Sequence, residues 1–368
     1  MNRTVVRSKR WERSDAYKSE WKQNVSKNGK KSINSENWRK LCDISRNRQS
    51  NAIVNPIDDY YLHEDNTITI GRDRHKQLLN KYSTKLKKTG EVEVDFNLAN
   101  LKPKFKLKIR PLDEASCLSS DSLFSKNSQT FGLSAYFHTS WKFAIEKYCG
   151  VYFLRELGKA SSKKYICDNE YFGYIFEELI FARPGECPPE SGVISTYEKM
   201  YVATCTELSP INTENKKIKI FSTASIDGLD RDGKYVEAKA RNLKRSWRIQ
   251  LEWWLQSKFA SIETIIQGIK KTEDEAIKIK QMRRINLVDL NLGYKKWEGN
   301  VSFGAIHQIL TGLVSNYDDF MRKLMKNEQM ENQPQLTMMK DKTSCRIYLS
   351  ENKELTAILK PEFKNRFS

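Results

Sequence analysis

Asp227, Glu237 and Lys239 have the side-chain types and the spacing for phosphodiester chemistry. They fall in FSTASIDGLDRDGKYVEAKARNLKRSWRIQLEWWLQSKF, from Phe221 to Phe259. β-Favouring residues flank Asp230-Arg231-Asp232-Gly233, and apolar residues then recur at helical spacing through Trp247, Leu251, Trp254 and Leu255, so the stretch predicts strand, tight turn, strand and helix. Asp227 is expected on the first strand. Glu237 and Lys239, two apart on the second, share one face. Nine residues separate Asp227 from Glu237, a length over which a hairpin folds back and sets the aspartate beside the Glu-x-Lys pair. Carboxylates hold hard divalent cations through oxygen, the cations neutralise phosphate charge, and a lysine orients or polarises the attacking water. The Glu-x-Lys triplet alone reads as a solvated strand in a lysine-rich chain. The upstream aspartate and the amphipathic helix that follows are what single it out.

The elements that position these groups can be traced along the chain. NAIVNPIDDYYLHEDNTITIG reads as short extended pieces and HKQLLNKYSTKLKK as a helix. LKPKFKLKIRP, from Leu101, alternates strictly, which would place Lys102, Lys104, Lys106 and Lys108 on one face, as an RNA- or DNA-backbone contact or as a solvated sheet face. Ser116 to Thr130 is a polar connection. WKFAIEKYCGVYFLRE predicts two strands around Tyr148-Cys149-Gly150, and DNEYFGYIFEELIFA a helix capped at Asp168 or Asn169. That helix carries Glu177 among aromatic residues, where a buried carboxylate needs a partner or a metal. VISTYEKMYVATCTEL and ETIIQGIKK predict strands, Asp274 to Asn291 has no clear pattern, and VSFGAIHQILTGLVSNYDDFMRKLMK predicts a helix with His307 in or near the core. Asn327 to Lys342 reads as a loop and CRIYLSENKELTAILK as a closing hairpin.

The chain has 368 residues, 39% hydrophobic and 11% aromatic, enough for one large domain or two small ones with a sizeable core. A net charge of +18 favours polyanions, chiefly nucleic acid or an anionic membrane surface. Nothing in the sequence reads as a signal peptide or as an apolar run long enough to span a bilayer, so a soluble intracellular protein without a membrane partner is expected. Seven scattered cysteines with no C-x-x-C spacing, and four isolated histidines, argue against structural zinc and for reduced thiols. The first fifty residues carry 14 Lys/Arg against 5 Asp/Glu, with Trp11, Trp21 and Trp38 among them. They read as a basic arm, 1–50, that is either a solvated disordered segment or a stacking and phosphate-tracking one. One domain is then expected over 51–368.

In order and spacing these motifs resemble the DXO decapping exoribonucleases and their nuclear relatives that accompany the main 5′-to-3′ exoribonuclease. Gly173-Tyr174-Ile175-Phe176-Glu177 looks like the family's helix motif, Tyr235-Val236-Glu237-Ala238-Lys239 like its E-x-K strand, and Trp254-Leu255-Gln256-Ser257-Lys258-Phe259 like its W-x-Q-S-F helix. ETIIQGIK, DDYYLHED and the hairpin from Trp141 are further landmarks, and the likeness runs from about residue 55 to the C-terminus. The resemblance implies an α+β fold of two packed mixed or antiparallel β-sheets flanked by helices, with a PD-(D/E)XK-nuclease-like core hairpin. It implies Glu177, Asp227 and Glu237 as ligands of Mg2+ or Mn2+, Lys239 as the catalytic lysine and Gln256 as an RNA contact.

Two positions depart from the family pattern. Ser225 stands where the first acid of an E-x-D pair belongs, and the arginine of a Phe/Trp-Arg-Gly context is missing, the nearest stretch being Thr130-Phe131-Gly132-Leu133. A hydroxyl is a neutral, weaker oxygen donor, so the second of two mutually repelling cations loses most. Without the arginine a bidentate phosphate ligand is gone as well. The resemblance, with these losses, implies a nuclear member that binds RNA 5′ ends without cleaving them and protects uncapped transcripts of the germline piRNA-precursor type from decay or termination. Its partners would be RNA and nuclear proteins, such as a chromatin-bound complex or a 5′-to-3′ exoribonuclease. The alternative is an active Mg2+- or Mn2+-dependent decapping exoribonuclease.

Overall fold

Turns with left-handed backbone shape the strands of this molecule. The computed structural model describes residues 39–366 apart from 45–47, 66, 109–129, 138, 158–166, 196–197, 212–216, 243–245, 274–275, 292–295, 329–334, 341–345 and 352–356. Cys149 and Gly150 have φ of 47° and 78° and close a two-residue hairpin between β7 (Trp141–Tyr148) and β8 (Val151–Glu156), where the positive φ values match strand twist. The second turn is built on Asp230, whose Oδ1 accepts from the backbone N–H of Asp232 and of Lys234, both at 2.9 Å. Gly233, at φ 75°, then returns the chain into β14 (Tyr235–Arg241).

The strands form four sheets among the described residues. The seven-stranded mixed sheet runs β5 (Glu91–Asn97), β16 (Ala276–Asn286), β15 (Thr264–Glu273), β14, β13 (Gly228–Leu229), β4 (Gln77–Leu78) and β9 (Phe181–Ala182). An antiparallel sheet of four runs β12 (Ile218–Ile226), β11 (Lys199–Pro210), β2 (Ser50–Leu62) and β3 (Ile68–Ile70). Five strands, β1 (Arg39–Asp43), β18 (Arg346–Glu351), β17 (Leu336–Lys340), β7 and β8, form a third, and β10 (Gly192–Ser195) pairs in parallel with β6 (Phe105–Lys108). The helices are α1 (Asn80–Thr89), α2 (Asp168–Ile180), α3 (Trp247–Phe259) and α4 (Gly299–Glu328), with short turns besides. Residues from Lys40 onward form one compact unit. The α+β class expected from the sequence is the class found, with more sheets than the two expected.

One core holds α3, α4 and the five-stranded sheet together through residues such as Phe143, Leu255, Ile306 and Leu349. A second lies between α2 and the seven-stranded sheet, around Ile175, Phe176, Val236 and Ile266. Gly299 opens α4 where a Cβ would meet the Trp254 ring at 2.2 Å, so only glycine lets the two helices approach there.

Several boundaries differ from expectation. Ser50–Leu62 is one strand with a bulge opposite Ala203/Thr204, not short pieces. The helix expected from His75 begins at Asn80, because Gln77 and Leu78 pair into the sheet. The weakly patterned run after Asp274 contains β16, a strand with cationic and amide side chains between its apolar ones. Part of the expected Asn327–Lys342 loop is helix and part is β17, and β18 pairs with β17 rather than within the C-terminal stretch. Arg39–Asp43, inside the expected arm, is a strand, while Trp11, Trp21, Trp38 and most of the Ser116–Thr130 connection lie outside the described residues. His307 is buried, as expected. Among the described residues no helix is long and apolar enough to cross a membrane.

Candidate functional site

The site is assembled where β12 ends. Asp227 sits between β12 and β13, the point at which the chain leaves the four-stranded sheet and enters the seven-stranded one. It was expected on a strand, and its Oδ2 instead caps the neighbouring ladder by accepting from the Ala238 N–H at 2.7 Å. Gly228 pairs with Val236 and Leu229 with Tyr235, so the hairpin sets Asp227 alongside Glu237. Its base is tied to the other sheet through the DDYYLHED segment. The Tyr235 hydroxyl donates to buried Asp59 at 2.7 Å, and Arg72 bonds Asp59, the Tyr235 hydroxyl and the Gly233 carbonyl together.

Glu177 arrives from α2. That helix is capped at Cys167, one residue before the expected cap, where the Cys167 N–H donates to Glu170 in a capping box and Asp168 and Glu170 complement the helix dipole. Phe172, Ile175, Phe176 and Ile180 form its buried stripe. Gly268 of β15 fixes its height over the sheet, since a Cβ there would lie 2.8 Å from the Phe176 ring. The next residue is Glu177. Glu178 turns aside to accept from Lys76 at 2.6 Å and does not replace it.

Glu237 is 2% exposed. Lys239 and Gln256 of α3 both donate to its Oε1, Gln256 at 2.8 Å, so Oε2 is the oxygen left for another ligand. Glu177, Asp227 and Lys239 are surrounded by protein yet keep some solvent contact, as on the floor of a cleft. Burial pushes the Glu177 carboxyl well above its usual range, helped by the charges of Asp227 and Glu237 and opposed by Lys239 and Lys199. Asp227 is pushed up to about 7 by burial and by Glu237, against Lys239, the Ala238 N–H and Lys199. Lys239 loses from burial, but the three carboxylates outweigh that and hold its ammonium charged. Lys199, the first residue of β11, is a site cation that the sequence reading missed because no motif marks it.

Not every expected site residue joins this cleft. Ser225 lies on β12 opposite Tyr201, two residues before Asp227, and brings no charge. Glu177, Asp227 and Glu237 share one electrostatic field, but among the described residues no three Asp, Glu, His or Cys side chains draw together around one point. The row of four lysines does not form. Asn97 caps a one-turn helix at Leu98–Leu101, and Lys102–Lys104 continue as a 3-10 turn around Pro103, so only Lys106 and Lys108 lie on a strand. Lys102 pairs with Asp168 at 2.6 Å and Lys108 with Glu64. At the stretch nearest the missing arginine, Phe131 packs against Trp141 and Phe143, and a Cβ on Gly132 would lie 3.0 Å from Leu255. That stretch is core, with no room for a guanidinium.

Comparison with known proteins places this geometry. Residues 124–364, more than half of the chain, match the family described as RAI1-like PD-(D/E)XK nuclease. Decapping nuclease dom-3 of Caenorhabditis elegans is 26% identical over 159 residues, 39% of this chain and 40% of dom-3, so the match spans less than half of that relative. Among solved structures, Candida albicans Rai1 in complex with pU5 and Mn2+ superposes with a TM-score of 0.60 at 13% identity, over 89% of this chain and 98% of that one. Scheffersomyces stipitis Rai1 gives 0.61 at 11% identity over 91% and 99%. K. lactis Dxo1 with manganese gives 0.56 at 13% identity over 86% and 97%. At these identities the structural likeness speaks for the fold.

Proposed function

Because the chain belongs to the RAI1-like PD-(D/E)XK nuclease family, we propose that its cleft holds RNA 5′ ends and has lost most or all of the family's hydrolysis. The observation that carries this is the donor set. Three carboxylates, two lysines and a serine stand where a two-cation site needs a further acid, and Lys239 is seated on Glu237. Glu177, Asp227 and Glu237 supply oxygen donors for one hard cation, Mg2+ or Mn2+, but would have to draw closer together than they stand here to hold it; its charge would then relieve their mutual repulsion and neutralise a bound phosphate. Two cations would carry more charge than this set balances. The Rai1 structure with pU5 and Mn2+ supports RNA as the ligand. Gln256, which orients Glu237, is then a second-tier contact to the RNA-bound site.

On this reading the protein works in the nucleus, on RNA and with nuclear proteins, a chromatin-bound complex or a 5′-to-3′ exoribonuclease. Its losses are similar to those of the Cutoff protein of the germline piRNA pathway, and the corresponding role is protection of uncapped precursor transcripts from decay or termination. Incubation of 5′-monophosphorylated and incompletely capped RNA with Mn2+ tests it. The expected result is binding without turnover, and cleavage gained in Ser225→Glu. Wild-type turnover that Asp227→Ala abolishes would reject the proposal and establish a decapping exoribonuclease. That second reading is favoured by one observation, the survival of Glu177, Asp227, Glu237 and Lys239 in one electrostatic cluster.

A further inference from the structure

Gln267 is the odd residue of β15. It is 0% exposed in the run Thr-Ile-Ile-Gln-Gly-Ile, where a buried amide is costly unless its ends are hydrogen bonded. Both are satisfied. Nε2 donates to the Asn242 carbonyl at 3.3 Å, and Oε1 accepts from Arg283 Nε at 3.1 Å. The register sets Gln267 beside Lys239 on β14 and beside Arg283 on β16. Lys239, Gln267 and Arg283 therefore form a polar row across one sheet face, beginning at the cleft.

At about 4.8 Å per strand, Arg283 stands roughly 10 Å from Lys239. That is a span of two to three stacked nucleotides at about 3.4 Å each. Exposed Arg241 continues the same face of β14 two residues past Lys239. The Arg283 side chain is anchored through Nε to a neutral amide, which leaves the forked end of its guanidinium outside that bond, on the strand position opposite Glu91 of β5. It fronts a cavity of about 400 Å³ beside Gly90 and Arg284. The two carboxylates of that cavity are engaged by amides, Glu91 by Gln281 at 2.7 Å and Asp289 by Asn286 at 3.0 Å.

We propose that this row is a track for single-stranded RNA leaving the cleft, in which Arg283 binds the backbone phosphate of the third or fourth nucleotide and Gln267 is the residue that positions it. The proposal rests on the cleft taking an RNA 5′ end. Fluorescence anisotropy with 5′-phosphorylated oligouridylates tests it, using a dinucleotide and an octanucleotide over a range of salt. Arg283→Gln should weaken octanucleotide binding about tenfold, as for loss of one charge-assisted hydrogen bond. It should also flatten the salt slope by about 0.7 and leave the dinucleotide unaffected. Gln267→Leu should weaken the octanucleotide while keeping most of the slope, since the charge remains but its aim is lost. A methylphosphonate at the third or fourth phosphate should weaken binding to the wild type and cost nothing further in Arg283→Gln. Equal octanucleotide affinities in wild type and Arg283→Gln would overturn the track alone. So would a wild type indifferent to the methylphosphonate, an arm that needs no variant to fold. A wild type that binds neither oligonucleotide at low salt would overturn the cleft reading and the track with it.

Discussion

Asp227 makes the sharpest prediction, because its carboxyl is held in a place that resists its charge. Replacing it with asparagine keeps an acceptor for the Ala238 N–H and removes the ionisation. The carboxyl moves from its ordinary 3.8 to about 7 on folding, chiefly through burial and then through Glu237. A raised acid stabilises the fold in its protonated form, so this contribution is complete below about pH 4 and is lost as pH rises through 7. Taken whole, the shift is worth roughly 4 kcal/mol. The solvent contact that Asp227 keeps brings that to about 2 kcal/mol. In EDTA at pH 8, Asp227→Asn should therefore be more stable than wild type by about 2 kcal/mol, or roughly 3 °C in melting temperature. The gap should close on acidification toward pH 4. Thermal unfolding of both proteins across that range is the assay. An asparagine variant less stable than wild type at pH 8, or a gap constant with pH, would refute the reasoning.

Other perturbations test neighbouring parts of the same structure. Lys239→Met removes the stronger of the two lysine charges that hold Glu177 and Asp227 down, Lys199 remaining, so both should rise further and melting temperature should fall more steeply between pH 5 and 8 than in wild type. Gly268→Ala sets a methyl 2.8 Å from the Phe176 ring and should cost about 1–3 kcal/mol in urea unfolding. Because Phe176 precedes Glu177, metal-dependent stabilisation should weaken with it. Tyr235→Phe strips a hydrogen bond from buried Asp59 and should cost about 1–3 kcal/mol, measurable by the same denaturation.

The strand, turn, strand and helix around Asp230 were legible because their signals are local: a turn tetrapeptide, a two-residue alternation, then a 3.6-residue period. Glu177 was legible as a carboxylate out of place among Tyr174, Phe176 and Leu179. The lysine row failed because Pro103 and the Asn97 cap outweigh an alternation that composition alone can mimic. β16 was obscured because Lys278, Lys280 and Arg283 fall between its apolar residues and a bulge breaks the alternation. Lys199 and the Gln267–Arg283 bond had no local signal. Both depend on strands far apart in sequence lying side by side, as does the partition of β12 and β14 into different sheets.

That partition has a mechanical consequence. One wall of the cleft, with Ser225 and the approach to Asp227, rides on β12, while the other, with Glu237 and Lys239, rides on β14. A replacement on β2 or β11 away from Asp59 and Lys199, which tie those strands to the second wall and to the site, should move the first wall more than the second. The gap between the acids is therefore adjustable from a distance, and a lineage could retune its grip on phosphate by repacking that scaffold while every acid stayed in place.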